Sequence, residues 1–225
     1  MVEGPARRTL ERECPRPGWT LCSQLSAMPR TVEEFQFGDQ STINRAGGYK
    51  AVAAQAWPII LSTVKAEPGP VLFGGAARAI HQFGSFATGD WLLKPNLDVK
   101  SAWEAVFPRA EVARYLAAKQ QRMVPLVSDG LQALHRTVGF LSLPILAFGA
   151  VRELRRRTAL GGLLTAIAIA LLTNAVVSGG VSGVYDRYQS RFVWLAVLGA
   201  MLTLATLRKR ETARPASPGQ AETYS

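Results

Sequence analysis

Residues 158–185 read TALGGLLTAIAIALLTNAVVSGGVSGVY, 28 consecutive positions without a charge. A helix needs about 20 predominantly apolar residues to cross the hydrocarbon of a bilayer. Leu160–Val177 is dense in Leu, Ala, Ile and Val, and its only strongly polar side chain is Asn174. This stretch predicts a transmembrane helix over roughly Thr158–Ser178. Two shorter apolar runs flank it, Thr137–Val151 with 15 uncharged residues and Phe192–Leu207 with 16. Length alone would allow each to be a buried helix of a soluble protein. Both are bounded by arginine, whose long stem reaches the interface from a buried helix end. Both also lie within a short loop of the central helix. The expectation is therefore an all-α chain with three membrane helices. The first extends back through Leu134 and Leu131 with His135 and Arg136 near the headgroups, and Pro144 is a candidate kink.

The charges fit this plan. The chain carries 26 Lys/Arg against 16 Asp/Glu, a net of +10. Residues 1–136 hold 16 bases and 12 acids, whereas residues 137–225 hold 10 bases and only 4 acids. The bases of the second part cluster between the apolar runs, with no interleaved aromatic stripe. That pattern argues against a nucleic-acid partner and for topogenic charge. The loop Arg152–Arg157 (RELRRR) and the run Arg208-Lys209-Arg210 belong on the cytoplasmic side under the positive-inside rule. The loop Gly179–Arg191 then lies outside. So do residues 1–136, in the periplasm of a bacterial inner membrane. The tail over 208–225 is Pro-, Ser-, Thr- and Gln-rich from Glu211 on and reads as disordered in the cytoplasm.

This orientation raises a question of export. Met1–Leu25 lacks the apolar core of a signal peptide. Ala51–Val64 is the most apolar upstream segment, but at 14 residues with an internal proline it is too short to span. Three resolutions stand. The chain is the C-terminal module of a longer polytopic protein, or its start has been placed too late. The orientation is inverted. Or the N-terminal region crosses unaided with the first helix. An outside location suits Cys14 and Cys22, which enclose CPRPGWTLC and are the only cysteines. Two close cysteines in an oxidising compartment point to a disulfide, and closing so short a loop contributes about 2–3 kcal/mol.

The N-terminal region reads as mostly helical. Arg45–Val64 has helical composition interrupted at Pro58. Glu67-Pro68-Gly69-Pro70 is a break, and Val71–Thr88 resumes with Ala77, Ile80, His81 and Gly84 on one face. Gly89-Asp90 ends that helix, Pro95 and Asn96 lie in a linker, and Pro108–Gln121 forms another helix with Val112, Tyr115 and Leu116 on one side. The aromatic residues Trp57, Phe83, Phe86, Trp91, Trp103 and Phe107 fit either a small core or contact with the membrane surface.

Motifs for common chemistries do not occur. His81 and His135 are the only histidines, with no Cys or acid at ligand spacing, so no metal and no cofactor are expected. There is no phosphate loop, dinucleotide fingerprint or nucleophile elbow. Gly179 and Gly183 form a G-x-x-x-G that would let a second helix approach closely, although Gly180 argues equally for a loop. Asn174 is placed to hydrogen-bond between helices. The most distinctive cluster is Tyr185-Asp186-Arg187-Tyr188-Gln189-Ser190-Arg191, followed by Phe192-Val193-Trp194-Leu195. One reading is an interfacial belt of tyrosine, tryptophan and arginine. The other is an anion or lipid-phosphate site built from Asp186, Arg187, Tyr188 and Arg191, since arginine offers phosphate a bidentate fork.

The segment SGVYDRYQSRFVWL, together with RECPRPGWTLC and FATGDW, resembles the C-terminal half of uncharacterised polytopic inner-membrane proteins of high-GC proteobacteria. The resemblance covers most of the chain and implies further membrane helices as partners, either upstream in the same protein or in another subunit. More distantly, Arg187-Tyr188 at the head of the last membrane helix is similar to polytopic glycosyltransferases that use polyprenyl-phosphate sugars. That likeness implies an arginine meeting the lipid phosphate and a catalytic acid in a first outer loop. The proline that usually follows Arg-Tyr is absent, and no such loop occurs here, so no catalytic residue is assigned. The leading expectation is a lipid-phosphate-binding membrane module of a glycosyl-transfer enzyme. The alternative is a structural or accessory subunit packed against a larger membrane complex.

Overall fold

The computed structural model of the chain describes residues 4–88, 104–118 and 129–212, apart from 16, 30, 38, 39 and 105. Trp91, Trp103, Pro95, Asn96, the Gly89-Asp90 stop, residues 119–121 and the tail beyond Thr212 lie outside the described residues. Among the described residues every regular element is helical and there is no strand. The chain is all-α. It divides into two compact units, Met1–Gly75 with Lys94–Arg122, and Ala76–Leu93 with Met123–Ser225. The boundary thus differs from the one expected at residue 136, because Ala76–Leu93 belongs with the long apolar helices.

The first unit contains α1 (Pro5–Glu13), a 3-10 segment (Thr20–Ala27), α2 (Val32–Gln36), α3 (Thr42–Arg45), α4 (Gly48–Ala66), the start of α5 (Pro68–Gly84) and α6 (Arg109–Ala117). Its core is Leu10, Leu21, Met28, Phe35, Ile43, Ala46 and Ile59, with Trp19 and Val52 packed on it. A core this small is a marginal one. Cys14 and Cys22 form a disulfide, their Cα atoms 5.5 Å apart, which ties the end of α1 to the 3-10 segment. The Gln55 side chain accepts from Thr20 N at 2.7 Å and donates to Thr20 Oγ1 at 2.6 Å, fixing that segment to α4.

Two expectations about this region change. Pro58 does not interrupt α4, which runs unbroken from Gly48 to Ala66. An internal proline costs one backbone donor, but the helix is anchored on both sides of it, by Val52 and Gln55 before and by buried Ile59 and Thr63 after. Nor is 67–70 a four-residue break. Only Glu67 is non-helical, and Pro68 and Pro70 occupy the first turn of α5. There the missing N–H groups have no partner inside the helix anyway. Glu67 accepts both hydrogen bonds of the Arg8 Nε–H fork at 3.1 Å, and this guanidinium holds its carboxyl below the usual range. The aromatic residues divide rather than sharing one role: Phe86 is buried, whereas Trp57 is 66% exposed.

The second unit contains the rest of α5, α7 (Asp129–Arg155), α8 (Ala159–Ala175) continued by a π-helical segment (Val176–Ser182), α9 (Asp186–Ser190) and α10 (Val193–Thr212). Asp129–Arg155, Ala159–Ser182 and Asp186–Arg210 are each long and apolar enough to cross a membrane. Their outward residues include Phe148, Ile169, Leu172 and Met201, all more than half exposed. Such a surface suits lipid, and the chain is that of a membrane protein. α7 begins at Asp129, so the backward extension past Leu134 and Leu131 is helical. It runs through Pro144 as one element. α5 stops at Gly84 rather than Thr88, and buried Phe86 and Ala87 follow it outside the helix. α10 continues through Arg208–Thr212, so the first five residues of the expected disordered tail are helical.

Small residues set the spacing of these helices. The core is Leu146, Ala150, Leu164, Ile167, Leu171 and Ala196. A Cβ added at Gly149 would lie 2.0 Å from Thr203 Oγ1, and one at Gly199 would lie 2.5 Å from Leu146 Cδ1. At Gly139 it would meet Phe86 Cε2 at 2.5 Å, and at Gly161 the backbone of Glu153 and Leu154 at 2.5 Å. Without a hydrophobic drive between helices in lipid, association depends on such close backbone approach.

The turn from α7 to α8 closes with Arg157 N donating to Leu154 O at 2.9 Å and Thr158 N to Glu153 O at 3.2 Å. This paired pattern is the Schellman cap, which calls for a left-handed residue after the helix. Arg157 holds that place with φ 55°. A non-glycine residue there is strained. Arg157→Gly is therefore expected to raise stability by about 1 kcal/mol, read as a higher melting temperature in detergent. A lower melting temperature would mean that the Arg157 side chain contributes more than its backbone costs.

Candidate functional site

The Tyr185–Arg191 cluster sits where the second long helix turns into the third. Its polar groups are mostly engaged within the protein. Gln82, from α5, is fully buried. Its amide accepts from Tyr185 N at 2.8 Å and donates to Tyr185 O at 2.9 Å, as a paired strand would. Asp186 Oδ1 accepts from Ala87 N at 2.9 Å. Asn174, in the last turn of α8, donates to Tyr188 O at 3.1 Å and to Gln189 Oε1 at 2.6 Å, while buried Gln189 donates to Leu171 O at 3.4 Å. The non-helical residues after α5 are held from α7 as well, at Thr88. Gln132 Oε1 accepts from Thr88 N at 2.8 Å and its amide donates to Thr88 O, and the Thr88 hydroxyl is hydrogen-bonded to His135 Nδ1.

The arginines are arranged differently. The Arg187 guanidinium lies 4.6 Å from the Tyr185 ring centroid and 5.2 Å from that of Tyr188. The two rings meet edge to face at 5.6 Å. Cation–π contact of this kind fixes the guanidinium plane without neutralising its charge. Arg191, one helical turn further, is exposed and has no hydrogen-bond or acidic partner among the described residues. Asp186 is the only acid between Thr158 and Thr206.

The glycine expectation divides. Gly179 does permit a close approach: an added Cβ would lie 2.4 Å from Gln82 Cβ and 2.6 Å from Arg78 O. Its partner is α5, and Arg78 Nη2 donates to Gly180 O at 3.1 Å beside it. At Gly183 an added Cβ would meet the ring of Tyr185 at 3.0 Å rather than a second helix. The stretch is helical through Ser182, and Gly183 N closes the wide turn onto Ser178 O at 2.8 Å.

Gln82 and Gln132 are residues the sequence did not single out. A glutamine in an apolar run is an available signal, but its partner is backbone from 44 to 103 residues away. At the opposite end of the bundle, Glu153 was visible as the one acid among arginines in RELRRR. It is 2% exposed, and its Oε2 accepts from Arg210 Nη2 at 3.1 Å and from Thr158 Oγ1 at 3.2 Å. No family model, curated protein or solved structure matches this chain.

Proposed function

We propose that this protein binds the phosphate of a membrane lipid at Arg187 and Arg191. One observation carries the reading: Asp186 is turned to the Ala87 amide, leaving Arg191 exposed without an acid while two tyrosine rings orient Arg187. A guanidinium at headgroup depth meets phosphate as its most abundant anion, and the planar fork matches two phosphate oxygens. Asp186, Asn174 and Gln189 position this end of the bundle and are not ligands in this reading. The similarity to enzymes that use polyprenyl-phosphate sugars supports a narrower form, in which the lipid is such a sugar donor. The arginine-rich ends of α7 and α10 favour an inner-membrane orientation with the Arg187 end in the periplasm.

Arg191→Ala removes an exposed side chain and spares the fold. It is expected to weaken binding of a polyprenyl phosphate by about tenfold, the scale of one charge-assisted hydrogen-bond pair. Binding to the purified protein is read by intrinsic tryptophan fluorescence, with circular dichroism as the control for folding. Equal affinity in the two proteins would end the proposal. A second reading, an accessory subunit packed on other membrane helices, is favoured by the exposure of Leu72 at 70% and Phe73 at 79%, which lie outside the three long apolar helices. Sizing after extraction in a mild detergent decides it, and a lone monomer counts against it.

A further inference from the structure

The opposite end of the bundle carries a second charged feature that the Arg187 reading does not use. Two basic runs, 152–157 and 208–210, are separated by about fifty residues of apolar helix. The structure brings them together. Glu153, buried at the end of α7, accepts from Arg210 of α10 at 3.1 Å and faces Arg156 Nη1 at 4.0 Å. Thr158, the N-cap of α8, hydrogen-bonds to the same carboxylate at 3.2 Å. One acid therefore gathers the ends of all three long helices and is consumed in doing so. Arg155, Arg157, Arg208 and Lys209 remain exposed.

We propose that this end of the bundle is a binding surface for anionic phospholipid headgroups of the bilayer that surrounds it. Charge complementarity selects the occupant. The patch lies at the ends of helices long and apolar enough to span, where headgroups are the groups at hand, and its charge is net cationic, seven bases in 152–157 and 208–210 against Glu153 and Glu211. The Glu153–Arg210 pair makes one surface from two runs, so a single headgroup can meet bases from both. This inference is independent of the Arg187/Arg191 reading.

The test uses the full chain in bilayers of mixed phosphatidylcholine and phosphatidylglycerol, with spin-labelled lipids reporting which headgroup is enriched at the protein. Phosphatidylglycerol is expected to be enriched severalfold. The triple variant Arg155→Gln, Arg157→Gln, Lys209→Gln is expected to cut that enrichment about fivefold or more. Should the triple variant not fold, salt on the unaltered protein decides, since screening at molar ionic strength is expected to abolish the preference. Equal association of the two lipids, or a preference indifferent to both the substitutions and salt, would overturn the proposal.

Discussion

Gly149→Ala lowers the stability of the helical bundle by about 2–3 kcal/mol, the scale of an overpacked core. The sign is the informative part. At an exposed helix position the same change stabilises by roughly 0.5–1 kcal/mol, because alanine loses less backbone freedom on folding. At Gly149 the added Cβ would sit 2.0 Å from Thr203 Oγ1, 2.7 Å from its Cγ2 and 2.9 Å from its Cβ. Thr203 cannot swing aside freely. It is buried, and its hydroxyl donates to Gly199 O at 2.8 Å. Nor can α10 slide away cheaply, because Gly199 is itself seated against Leu146. Thermal unfolding in detergent measures the loss. Pairing Gly149→Ala with Thr203→Gly removes the clashing atoms, and the double variant is expected to be more stable than the sum of the single effects predicts. A Gly149→Ala protein as stable as the parent would mean that the two helices are not held at this distance.

The second large effect is expected at Gln82. Gln82→Leu keeps the bulk of the side chain but removes both hydrogen bonds to Tyr185. It leaves a backbone N–H and a C=O of half-buried Tyr185 without these partners, each worth about 1–3 kcal/mol when unsatisfied. A loss of about 3 kcal/mol is expected. It need not unfold the whole unit. The 176–190 segment is tied to α5 by Gln82 and by Arg78 at Gly180, and to the chain after α5 by Asp186 at Ala87, so its opening is local. Hydrogen exchange resolves this: protection of the amides around Tyr185 and Asp186 is expected to fall while that of Leu164–Leu171 is kept. Gln82→Glu retains the acceptor for Tyr185 N–H and is expected to show a smaller loss. Unchanged protection in Gln82→Leu would show that the amide clamp contributes nothing.

Both effects concern contacts that no local pattern in the sequence announces. The glycine signal that was legible, Gly179 and Gly183 at G-x-x-x-G spacing, left a helix contact and a loop equally open, and an added Cβ meets α5 at Gly179 but the Tyr185 ring at Gly183. Spacing alone could not distinguish them, because a glycine packs against a helix only if a helix is there. Gly139, Gly149, Gly161 and Gly199 carry no such spacing motif among themselves, yet each meets a neighbour at 2.5 Å or closer. In the Tyr185–Arg191 cluster the residue types were legible in the sequence. The division of labour among them was not readable. Asp186 and Arg187 are adjacent in sequence, but one serves the fold through Ala87 and the other is held by aromatic rings.

The sequence by itself determined the three long apolar helices, the all-α class and the basic character of one helical end. These follow from runs of adjacent residues, and helix formation and apolar burial act on the same scale. The proximity of Cys14 and Cys22 was legible for the same reason. Only the tertiary structure decided that Pro58 is carried inside a helix, that Ala76–Leu93 joins the bundle, and that Glu153 draws Arg210 to the α7–α8 turn. Each of these depends on partners brought from tens of residues away, where buried backbone groups and a buried carboxylate must find hydrogen bonds. That requirement is strong in an apolar interior, but the sequence does not say which distant side chain will meet it.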